Sequence, residues 1–265
     1  MTTENSLRAI QATYVDLDGW HARGRRSPPE QPEPGSDLAA DDSVYAWHAI
    51  SEVARTSLLF SAEHLRLARD AIDARQVYPS AHFTVLRGAL VGAAQAVWIL
   101  AANDAPERQE RGLTLIAEMY RQLRKYYAEV ENVSLTMDEQ RELKGQIRWC
   151  EERSLQVAGI RRTSGNLNQT DVIGWALDHR FPDDPRRDAG KLLWRQMSAD
   201  AHVLGWSVFQ RATISSSDLR TGLGVLQSAG DLEHVAEPFV AIHQLLKEGW
   251  SLFDRLCESS KSQAG

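Results

Sequence analysis

Arg195 and His202 stand seven positions apart in the stretch LWRQMSADAH, residues 193–202. A guanidinium presents a planar fork that grips two oxygens of a phosphate or carboxylate. An imidazole is the side chain whose ordinary pKa lies nearest neutrality, so it can take or give a proton at physiological pH. Together they could form a phosphate clamp with its proton donor, Arg195 offsetting the charge on the oxygens and His202 moving the proton. Ser198 could donate to the same phosphate, and Lys191 and Arg87 could join the binding set. A structural role for the same residues is an ion pair between Arg195 and a nearby acid such as Asp188, with His202 packed between helices.

The element that must position them reads as one long helix, about 184–212, opened by the proline and acids of FPDDP. At roughly 100° per residue, Leu193, Met197, Ala201, Leu204 and Val208 share a core stripe. Lys191, Arg195, Ser198 and His202 fall within roughly 60° of one another, about 140° from that stripe. Asp184 and Asp188 extend the polar line, and Trp206 and Phe209 lie near it. Large apolar groups beside a polar stripe imply a covered surface, so the sequence predicts a homodimer or other partner there.

Arginine followed by histidine after four to six residues occurs twice, at Arg195/His202 and at Arg75/His82. In the second pair QVYPSA intervenes and its proline breaks the helix. Helical context and the aromatic flank single out Arg195/His202.

RQMSADAH resembles the arginine–x(4 to 6)–histidine motif of the HEPN superfamily, small all-α bundles that commonly dimerise. The chain over about 45–255 is also similar to a group of actinobacterial helical proteins of this size. These share an LRGAL…W.L helix, here Leu86 to Leu100, and a late S…AH helix, here Ser198 to His202. The resemblance implies a metal-independent ribonuclease of a toxin–antitoxin or phage-defence system. Arg195 and His202 would be its catalytic pair, RNA its substrate and a cognate antitoxin a further partner. The chain departs from that pattern twice: Val91 stands where an acid is expected, and Val203 where glycine follows the histidine. A reading from another class is a non-catalytic helical interaction or scaffold protein that uses the same stripe as an interface.

The rest of the chain fits an all-α bundle of about seven helices over 41–260, after a flexible N-terminal segment and Pro-rich linker over 1–40. RRSPPEQPEPGSD carries four of that segment's prolines. Ile10, Tyr14 and Leu17 recur at helical spacing before it. Helices are expected over about 43–76, 80–102, 105–131, 136–158, 170–179, 184–212 and 231–258, with a short hairpin as an option in 213–230. Trp47, Trp98, Trp194 and Trp250 fall on apolar stripes and read as core.

FTVLRGALVGAAQAVWILAA, 83–102, is long enough to span a bilayer, but Arg87 and Gln95 interrupt it, so it reads as a buried helix rather than a membrane span. The net charge of −6 gives no overall field for nucleic acid. Arginine outnumbers lysine 25 to 5, a GC-rich coding bias rather than an RNA-binding signal. Cys150 and Cys257 lack a partner motif, and the first residues lack an apolar leader, which together predict a reducing, cytoplasmic setting. No cofactor or metal is expected. DDPRRD and NDAPERQE start helices, and DLEHVAE lacks the repeated Glu-x-x-His of a di-metal bundle.

Overall fold

A computed structural model describes residues 2–221 and 224–259. It is predominantly helical, with about 70% of residues in helices and 4% in strands. The helices are α1 (Thr3–Gln11), α2 (Tyr14–Gly24), α3 (Asp37–Asp42), α4 (Ile50–Asp73), α5 (Ala81–Leu100), α6 (Ala105–Val130), α7 (Met137–Ile160), α8 (Gln169–Arg180), α9 (Pro185–Ala201), α10 (Trp206–Phe209) and α11 (Leu232–Cys257). A hairpin of β1 (Thr213–Ser217) and β2 (Gly224–Gln227) is antiparallel, with a register irregularity between Ile214 and Ser216.

Local chemistry explains most boundaries. Asp104 caps α6 by accepting from Glu107 N at 2.7 Å, with a proline in the first turn. Thr136 and Glu139 close a capping box at the start of α7. Asp184 caps α9 just ahead of Pro185. At the other end of α4, Arg75 takes φ 58°, and Gln76 N bonds back to Ala71 O at 2.8 Å, the left-handed closure that stops a helix.

The chain divides into two compact units where the sequence suggested one bundle over 41–260. The first comprises 1–30, 56–97 and 170–252; the second comprises 31–55, 98–169 and the residues from 253 onward. In the second unit, Tyr45, Ile50, Val53, Ile99, Leu113, Ile116, Tyr120, Cys150 and Val157 form one apolar cluster. Arg108 and Asp41 form a buried ion pair there, and Gln109 also donates to Asp41 at 3.0 Å. Trp47, expected in the core, is instead 55% exposed, and its ring lies 3.5 Å from the Arg153 guanidinium.

In the first unit α5 is the central element. Leu86, Ala89, Leu90, Ala93, Ala94, Ala96 and Val97 are all buried. Gly92 permits a close backbone approach, because a Cβ there would lie 2.5 Å from the Ser57 carbonyl oxygen of α4. By length and composition α5 could cross a membrane, yet 61% of its apolar window is buried among the protein's own side chains. A core helix satisfies both observations.

The expected flexible segment over 1–40 is corrected for its first part. Residues 3–24 form α1 and α2, and Ile10 and Leu17 are fully buried. Trp20 stacks on Trp250, with ring centroids 6.3 Å apart, and Lys247 Nζ reaches Asp16 at 2.9 Å. These helices carry few large apolar residues among many polar ones, so their local signal is weak, and packing against α4 and α11 stabilises them. The proline-rich stretch itself is irregular, as expected. Within the first unit Glu30 is held by Arg23 and Arg26, and within the second Glu33 N donates to Cys257 O at 2.9 Å.

Candidate functional site

α9 does not run to residue 212. Val203 takes φ 56°, its N–H bonds to Asp200 O at 3.1 Å, and Leu204 N bonds to Ala199 O at 2.8 Å. That pair of reversed bonds is a Schellman closure, whose left-handed residue is usually glycine. A β-branched residue there carries a steric cost. The position where the resemblance expects glycine is therefore the one whose backbone favours it. The helix ends at Ala201, and His202 becomes its C-terminal cap.

The early end changes the faces. Trp194 and Met197 are buried, Leu193, Ala201 and Val208 are half-buried, and Leu204 is 53% exposed rather than core. Trp206 and Phe209 sit on the separate α10 and remain largely exposed.

Arg195 and His202 are both exposed. Among the described residues neither makes an ion pair, and Asp188 is taken by Arg187 at 3.0 Å, so the expected Arg195–Asp188 pair does not form. Nor does His202 pack between helices. Seven residues of helix separate the two along the axis by about 10 Å. One chain thus presents them side by side on an open surface without closing a cleft around them.

The binding set divides. Arg87 Nε donates to Ser198 Oγ at 3.3 Å, and its guanidinium lies 4.7 Å from the centroid of the Trp194 ring. Those two candidates are brought together, α5 to α9. Lys191 is not with them: its Nζ reaches Asp178 of α8 at 2.7 Å. A slot lined by Leu193, Met197, Pro238 and Ile242 has room for about 30 Å³, a water or two.

Sequence reasoning missed the strongest polar cluster in this region. Asp200 accepts from Arg211 Nη2 at 2.7 Å, from Ser207 Oγ at 2.9 Å and from Ser80 Oγ at 3.1 Å. The Asp200 side chain is 1% exposed, that of Arg211 7%. The Arg211 guanidinium lies 3.9 Å from the centroid of the Phe83 ring, so the face with no oxygen partner meets π density instead. A signal existed: Asp200 follows Trp194 and Met197 at spacings of three, which puts an acid on the buried stripe.

His82, beside Phe83, is buried, and its Nδ1 accepts from Tyr78 N at 3.0 Å. Burial holds its pKa below the ordinary 6.5, against raising contributions from backbone groups of Ala68 and Tyr78. Asp231 and His234 pair at 3.3 Å at the start of α11, while His243 faces Asp16. Among the described residues no three His, Cys, Asp or Glu side chains are grouped to hold a metal ion. No family model matches the chain, and no curated protein or solved structure is detectably similar to it.

Proposed function

We propose that the protein is a helical interaction protein that pairs with a second copy of itself through the outer face of α9 and α10. The carrying observation is the run of exposed apolar side chains Leu192, Val203, Leu204, Trp206 and Phe209 around Arg195 and His202. Isolated exposed apolar residues are ordinary, whereas several on consecutive short elements mark an interface. A self-pairing two-fold contact is the commonest solution for such a patch, and the mixture of Arg195 with the acids of the α8–α9 region suits an isologous surface. Cys150 and Cys257 form no disulfide among the described residues, which fits a reducing, cytoplasmic setting. Sedimentation should give a dimer at micromolar concentration for the native chain and a monomer for Leu204→Glu/Phe209→Glu. A native monomer rejects this reading.

A metal-independent ribonuclease of a toxin or phage-defence system is the second reading. It is favoured by Arg195 and His202 making no ion pair among the described residues, with Ser198 of the same helix held by Arg87 of α5. Catalysis would then require the dimer, since one chain leaves the pair open. RNA cleavage in chelator, lost in a folded His202→Ala variant, supports it, and unchanged cleavage in that variant rejects it.

A further inference from the structure

Arg25 and Arg66 are less closely paired than Arg23, Arg26 and Arg69 around α2 and α4, although Arg66 acts on the Asp18 carboxylate through space. Arg23 and Arg26 share Glu30, and Arg69 Nη1 donates to Asp18 at 2.6 Å. Arg25 and Arg66 make no ion pair among the described residues. Arg66 Nε is buried without an acceptor, a state that costs free energy unless something else meets the donor.

Both arginines line one groove between α2 and α4, which encloses about 330 Å³. That lies at the lower end of the range of about 300–1,000 Å³ typical of small-ligand sites. Trp20 and Phe60 line it as well, and Phe60 is 58% exposed. Gly24 keeps α2 close against α4 there, since a Cβ would come within 2.8 Å of the Leu59 side chain. Glu63, also without an ion pair among the described residues, and His21 complete the rim.

We propose that this groove binds a mononucleotide-class ligand, a phosphate ester attached to a flat ring. The phosphate takes the Arg25 and Arg66 guanidinium groups, whose forks match its oxygens. The ring lies on Phe60, where an aromatic face would otherwise remain in water. Glu63 offers acceptors to a ring amino group or a sugar hydroxyl. The groove shares no lining residue with the α9–α10 face, so its fate is independent of the dimer proposed above.

Calorimetric titration of the full chain with adenosine monophosphate, adenosine and inorganic phosphate tests this. The monophosphate should bind with a dissociation constant below about 1 mM, and adenosine and phosphate at least about tenfold more weakly. Arg25→Gln and Arg66→Gln should each weaken the monophosphate about tenfold in a chain that stays folded, because each removes one charge-assisted contact. Phe60→Ala should weaken the monophosphate and spare phosphate. Any of three results overturns the proposal: no heat of binding at several times that concentration, phosphate bound as tightly as the monophosphate, or undiminished binding in the folded Arg25→Gln/Arg66→Gln variant.

Discussion

The outer face of α9 and the cluster at its C-terminal end use the same residue types to opposite ends. On the outer face Arg195 and His202 are exposed and make no ion pair among the described residues. A few residues away Arg211 and Asp200 are enclosed, with two serine hydroxyls donating to the carboxylate and the Phe83 ring against the guanidinium. Enclosure makes a charge pair structural, because each member depends on the other for compensation in a medium that solvates neither. Exposure leaves a charge available to an outside group, and its loss is absorbed by water.

Breaking the enclosed pair is the most severe test. Arg211→Ala or Asp200→Ala should cost about 3–5 kcal/mol in urea unfolding, since either leaves a buried uncompensated charge. A cost under about 1 kcal/mol would show that the cluster opens to water and would erase the contrast. Next, Val203→Gly should stabilise the protein by about 1 kcal/mol, because glycine takes the left-handed turn without a Cβ clash. An unchanged midpoint would mean that another conformer of the turn is as good, and that the α9 terminus separating the two regions is soft.

A smaller effect should appear with pH. Burial lowers the pKa of His82 beside the enclosed cluster, and burial likewise lowers that of His243, with Asp16 opposing and Lys247 assisting. The unfolded chain therefore takes up these protons first as pH falls. Stability is fully present above about 6.5 and declines below it, through the lower folded values. The melting temperature should fall between pH about 7 and 5, with a shallower slope in His82→Gln. Smallest of all, Arg195→Ala and His202→Ala should shift stability by no more than about 0.5 kcal/mol. A loss of several kcal/mol would place them in a packed setting and contradict the open face.

The legible parts of the fold were those with strong local signals. The capping box at Thr136, the Asp104 and Asp184 caps and the apolar run of α5 each declare an element from a few consecutive residues. Boundaries without such signals went astray. Val203 carries no sequence mark of a helix stop, since the left-handed turn is imposed on it rather than preferred by it. In the candidate site, Arg87 and Ser198, both named as binding candidates, meet through a hydrogen bond between α5 and α9. The Lys191–Asp178 pair was not legible, because Asp178 lies on α8, a helix that no periodicity argument orients against α9.

The sequence by itself determined that this chain is helical, where α5 through α9 begin, and which residue types could handle phosphate. Those properties follow from periods, caps and functional groups within one or two turns of chain. Only the tertiary structure decided that α1 and α2 are packed, that the chain forms two compact units, and that Arg211 rather than Arg195 is the enclosed arginine of this region. The reason is solvation: whether a charge pairs inside or waits at the surface depends on groups distant in sequence that remove water from it, such as Ser80 and Phe83 around Asp200 and Arg211.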